Sequence, residues 1–184
     1  MIGKAFGVGL LWLAIGLSSA LAQSYSQRDQ DYYRGRGESS AWGTDAAVRQ
    51  RSGGGSLGVK RVRIERRAGY DRLVFEFDAG APNYWVHYED PPIQLYSGEV
   101  VKVRGKAFIE VSLSPILYSK KNYNTPVVRL KRGRTPLRTT LVSDVWSMGW
   151  FEGEMIYAVG LNARRPFRVR MLSNPARLVI DFKK

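Results

Sequence analysis

Between Val111 and Ser143 the chain carries Lys120, Lys121, Arg129, Lys131, Arg132, Arg134 and Arg138, and not one acid. Guanidinium groups pair with carboxylates and phosphates through a planar fork of N–H donors, so a run of this kind suits contact with a polyanion. Tyr118 and Tyr123 stand close by in the chain. The run from Arg129 to Arg134 reads as a strand end passing into a turn. The same residues equally suit a solvated loop that guards an edge strand against aggregation. Arg164, Arg165, Arg168 and Arg170 extend the patch if their strand lies adjacent, and otherwise read as outward residues of an ordinary strand. Trp146 and Trp150, with Met148 between them and Phe151 after them, read first as core. A flat ring platform for sugars is the alternative reading of that pair.

Other chemistry finds little support. The chain has no Cys and one His, which excludes a disulfide framework, a thiolate nucleophile and a poly-His metal site. His87 lies in Tyr84-Trp85-Val86-His87-Tyr88, where strand parity gives it one face with Trp85 and Glu89. It reads as a partly buried structural histidine, and neither a metal nor a cofactor is expected. Gly54-Gly55-Ser56-Leu57-Gly58 matches a nucleophile elbow by letters alone, because that elbow needs a strand before it and a helix after it. The dinucleotide spacing across Gly53 to Gly58 fails in the same way, since it precedes a strand. Glu152 and Glu154 flank Gly153, and Glu89 adjoins Asp90, but nothing singles out two carboxyls for glycan hydrolysis. No enzymatic activity is expected.

The elements that must position these residues are strands. Val62 and Ile64 alternate with Arg61, Arg63 and Glu65, and Leu73, Phe75 and Phe77 alternate with Arg72, Val74 and Glu76. Similar alternation runs through residues 84–88, 107–113, 166–171 and 177–182. Gly, Pro and Asn turns separate the runs. No helical stripe follows the first 22 residues. Residues 57–184 therefore predict an all-β fold, a β-sandwich of about seven to nine short, mainly antiparallel strands, with a closed barrel as the alternative. Arg72-Leu73-Val74-Phe75-Glu76-Phe77 is echoed by Arg177-Leu178-Val179-Ile180-Asp181-Phe182. The echo reads either as convergence or as two equivalent strands, one per sheet or paired as neighbours.

Residues 1–22 read as a signal peptide, with Lys4 before an apolar run and Ala20-Leu21-Ala22 at the cleavage site. The run is shorter than the roughly 20 residues of a spanning helix, so no transmembrane segment is expected in the mature chain. Residues 23–56 are rich in Gln, Ser, Gly and Arg, and their composition predicts a disordered tether. Of the formal charge of +13, the tether holds five basic and four acidic residues, whereas residues 57–184 hold 23 basic and 12 acidic. The positive charge belongs to the folded part.

Residues 57–184 resemble the AMIN-like domain, a relative of the AMIN domains of bacterial envelope proteins. The matching stretches are Gly69 to Phe77, Pro82 to Tyr88, Phe151-Glu152-Gly153, Gly160-Leu161, Arg165 to Val169 and Asn174 to Asp181. The resemblance implies a β-sandwich in the cell envelope, and AMIN domains proper are associated with peptidoglycan targeting. It carries no binding residues over, because the AMIN-like branch has none accepted. Many relatives look like lipoproteins, and this chain lacks the Cys for that. The expectation is a periplasmic or secreted, non-enzymatic module, released by cleavage near Ala22, that binds peptidoglycan or another anionic wall polymer. The alternative is a protein–protein adaptor for an envelope protein, working through a sheet edge and the tail. Export and the absence of a recognition helix argue against a specific nucleic-acid partner.

Overall fold

A residue pattern of period two buries one face of a strand and leaves the other to solvent or to a second layer. The computed structural model, which describes residues 39–50, 57–116, 133–135 and 139–184, turns that pattern into eleven strands among the described residues. In chain order they are β1 (Ser39–Gly43), β2 (Ala47–Arg49), β3 (Val59–Arg66), β4 (Tyr70–Phe77) and β5 (Asn83–Glu89). There follow β6 (Ala107–Ser114), β7 (Gly133–Thr135), β8 (Val142–Phe151), β9 (Glu154–Leu161), β10 (Phe167–Leu172) and β11 (Arg177–Lys183). The strands form two antiparallel sheets, ordered β1-β10-β11-β4-β3 and β2-β5-β6-β9-β8-β7. The nine strands from residue 57 onward and the sandwich architecture agree with the sequence expectation. No helix among the described residues is long and apolar enough to cross a membrane.

The inner faces of the two sheets make one core. Leu73, Phe75 and Phe77 of β4 and Leu178, Ile180 and Phe182 of β11 meet Val86, Val111, Tyr157 and Val159 of the second sheet, all at most 3% exposed. Phe75 and Tyr157 pack with ring centroids 4.9 Å apart. Each such side chain removed from water contributes about 1.5–3 kcal/mol before entropy is counted. Asp71, fully buried, ties the layers at one end, accepting from Thr139 Oγ1 and from Leu141 N, the latter at 3.0 Å, while Lys184 Nζ lies 3.0 Å from its other oxygen.

A second, smaller core covers the outer face of the six-stranded sheet. The segment after β5 folds back so that Ile93, Leu95 and Val101 pack on Met148 and Ala158. Asp144 pins this strap by accepting from Arg104 N at 3.0 Å. The approach is so close that a Cβ on Gly160 would land on the Arg104 carbonyl.

Two strands fall where composition predicts a tether. β1 pairs with β10, and β2 pairs with β5 with Ala47 opposite Val86. For residues 39–49 the tether expectation is thus corrected: an edge strand needs only a free backbone ladder and a few anchoring side chains, here the buried Ala47 and Trp42. The signal-peptide expectation and the rest of the tether, residues 23–38 and 51–56, lie outside the described residues.

Candidate functional site

The echo between β4 and β11 builds an ordered charged surface. The two strands are antiparallel neighbours, with Arg72 opposite Asp181 and Glu76 opposite Arg177. A motif with Arg at its start and an acid near its end becomes self-complementary when it pairs antiparallel with its own copy. The rows continue across the sheet: Glu65, Arg72, Asp181 and Arg168 in one, and Arg63, Val74, Val179 and Arg170 in the next. Arg61, Glu76 and Arg177 form a third, so the outer face holds six arginines against three carboxylates.

Asp181 is the anchor of that face. It is fully buried, and three arginines converge on it. Arg72 grips it bidentately, Nε to Oδ1 at 2.7 Å and the terminal amine to Oδ2 at 3.1 Å. Arg168 Nε and an Arg170 terminal nitrogen reach Oδ2 at 2.9 and 3.2 Å. Burial alone would raise the Asp181 carboxyl, but the hydrogen bonds from Arg72 and Arg168 and their charges outweigh it and hold the group below its usual range. The carboxylate stays ionised and the arginines stay in place. Aromatic rings cover them from the edge: the Arg168 guanidinium lies 4.4 Å from the Trp42 ring centroid and 5.3 Å from that of Tyr70. Cation–π contacts of this kind fix an arginine while leaving its remaining N–H donors available. Chemically, the face is a rigid array of forked donors with a charge excess, suited to carboxylates or phosphates spaced along a polymer.

The run expected to bind polymer is largely beyond what the structure describes. Lys120, Lys121, Arg129, Lys131, Arg132 and Arg138 lie outside the described residues. Arg134 is in β7, opposite Trp146 of β8, at the edge of the six-stranded sheet. Arg168 and Arg170 belong to the other sheet, so they do not extend that run through adjacent strands.

Trp146 and Trp150 do not form one platform. Four residues apart on a regular strand, they would share a face. The register shifts between Ser147 and Gly149, where Gly149 adopts φ 108°, and this bulge inverts the parity. Trp150 therefore packs on the main core and donates its Nε1–H to Ile116 O at 2.7 Å, while Trp146 packs on the smaller core beneath the strap.

His87 shares a face with Trp85 and Glu89, as parity predicts. Its ring stacks on Trp85 at 3.8 Å and 14°, and its Nε2 lies 3.2 Å from Glu89 Oε2. Glu110, which the sequence pattern did not connect with it, stands directly opposite on β6. Of the other carboxylates, Glu154 accepts from Ser112 Oγ and Tyr96 OH.

The fold and this face define an all-β sandwich module whose candidate surface is a basic sheet face. The AMIN-like domain model matches residues 57–184, and the chain belongs to the AMIN-like domain family. That membership makes it a cell-envelope module, of a family that is in general extracytoplasmic and non-catalytic. No curated protein and no solved structure matches the chain.

Proposed function

We propose that the chain is an exported, non-enzymatic module that binds an anionic cell-wall polymer, with peptidoglycan as the first candidate, after signal-peptide cleavage near Ala22. The observation that carries this reading is the outer face of the five-stranded sheet, where three arginines are held around one buried Asp181. Their summed charge exceeds that of their anchor, and their order is fixed before any ligand arrives, which lowers the cost of binding. The acid-free run with Lys120, Lys121, Arg129, Lys131, Arg132, Arg134 and Arg138 is proposed as a second contact, reached by the same polymer. The adaptor reading has less support. The β3 edge carries Lys60, Arg61, Arg63 and Arg66, and charged edges of this kind discourage strand addition.

Co-sedimentation of the purified protein with peptidoglycan sacculi across a salt titration tests the reading. Binding is expected at low salt and should fade as the ionic strength approaches physiological values and beyond. Two variant sets, R61Q/R63Q/R177Q and R129Q/K131Q/R132Q/R134Q/R138Q, should each weaken pelleting. Absence of pelleting at low salt would overturn the proposal, as would binding that neither set reduces.

A further inference from the structure

His87, Glu89 and Glu110 meet on the outer face of the other sheet, far from the arginines in chemistry. His87 and Glu89 are two residues apart on β5, so both side chains project to the same side. Glu110 on β6 is the register partner of His87. One ligand atom from each of the three lies within 4.8 Å of the others, and all three side chains are partly buried. Donors at about 2.1 Å from a tetrahedral zinc ion stand about 3.4 Å from one another. Closing the trio around an ion therefore takes movements of up to about 0.8 Å per side chain, within the reach of rotamer adjustment.

A further observation points to a ligand. His87 Nε2 lies 3.2 Å from Glu89 Oε2, and His87 is the register partner of Glu110, so an ion shared with the carboxylates would take the Nε2 lone pair of a neutral imidazole. The Trp85 ring, stacked at 3.8 Å, holds the imidazole plane and so fixes the direction of its lone pair.

We propose that His87, Glu89 and Glu110 bind a single divalent transition-metal ion, with zinc the best match to one imidazole and two carboxylates. Imidazole ligands favour zinc over the hard cations magnesium and calcium, which prefer all-oxygen sets. Three protein ligands leave a coordination position for water or an incoming donor. The site is independent of the polymer-binding reading, because it uses none of the residues proposed for that contact.

The chain contains a single histidine, which makes the test direct. Untagged protein, stripped with a chelator, is titrated with zinc chloride and followed by calorimetry and by the imidazole nitrogen resonances. One zinc per chain and a shift of the His87 signals are expected. H87Q and E110Q should weaken binding by more than the roughly 10–100-fold that loss of even an outer partner costs a metal site. E152Q should leave it unchanged. Calcium at the same concentration should not compete. Unmoved His87 resonances at saturating zinc, or equal binding by H87Q, would overturn the proposal. Should the variants fail to fold, the wild-type resonances decide the matter alone.

Discussion

Replacing Asp181 with asparagine tests whether the arginine face is assembled by its buried carboxylate. The side chain keeps its shape but loses its charge and exchanges one acceptor oxygen for a donor amide. Arg72, Arg168 and Arg170 then converge on a group that can accept from only one side. At charge separations near 4 Å and an effective dielectric constant of about 20, each Arg–Asp pair is worth about 4 kcal/mol gross, offset by repulsion among the arginines and by desolvation. Breaking a buried ion pair from one side typically costs about 3–5 kcal/mol. Here the arginine side chains are 19–35% exposed, so they can swing toward water, and we expect about 2–4 kcal/mol. For a protein of this size that corresponds to a fall in Tm of about 5–15 °C. Urea unfolding followed by tryptophan fluorescence measures it. The pH dependence supplies a second check. The folded carboxyl sits below its unfolded value of about 3.9, so its contribution is full above that pH and is lost as pH falls through the folded value. The D181N protein should therefore lose less stability on acidification than the wild type, though not none, since Asp71 and Glu65 are also held below their usual range. A loss under about 0.5 kcal/mol at neutral pH, the range of an ordinary surface change, would refute the anchoring role.

Two further outcomes follow from the same geometry. W42A removes the ring over Arg168 and should cost about 1–2 kcal/mol, with faster proteolysis around residues 39–49; unchanged cleavage there would show that β1 is not held by this contact. G160A drives a Cβ into the Arg104 carbonyl and should destabilise by about 1–3 kcal/mol, with near-ultraviolet dichroism reporting displacement of the strap, whereas a neutral G160A would show that the strap is not packed as described.

Much of the fold was legible because period-two alternation is a local signal. Leu73, Phe75 and Phe77 declare a buried face within seven residues, and the tertiary structure only has to accept it. Parity also placed His87 beside Glu89. What alternation does not encode is which strand lies next to which. The Arg-Leu-Val echo was visible, but whether β4 and β11 were neighbours depended on contacts more than 100 residues apart in the chain. Glu110 escaped notice for the same reason: it meets His87 only through the β5–β6 register. The bulge at Ser147–Gly149 is a single inserted residue with no alternation of its own, so Trp146 and Trp150 read as one face when they occupy two. Residues 39–49 offered a composition of Ser, Ala, Gly and Arg, which looks like linker because an edge strand can draw its order from a neighbour's backbone.

The two outer sheet faces end up with different chemistry, and that difference arises although the inner faces are alike. Both sheets spend most of their apolar residues on the shared core, so most charged residues of β3, β4, β5, β6, β10 and β11 are sorted outward by parity, with Asp71 an exception. On β3, β4, β10 and β11 that sorting places six arginines on the outer face and buries one of its three acids, Asp181, among three of them. On β5 and β6 it places His87, Glu89 and Glu110 together. A sheet face with an excess of positive charge carries a field that steers a polyanion before contact. On the proposed reading the five-stranded face turns toward the wall. The D181N protein would keep that orientation and gain positive charge on the face while losing the fixed geometry of its arginines. If binding to sacculi depends on the summed field, D181N should bind as well as the wild type or better; if it depends on the ordered forks, binding should weaken at every salt concentration. The comparison separates charge from geometry in a single variant, because Asp181 supplies order to three arginines while subtracting charge from the face.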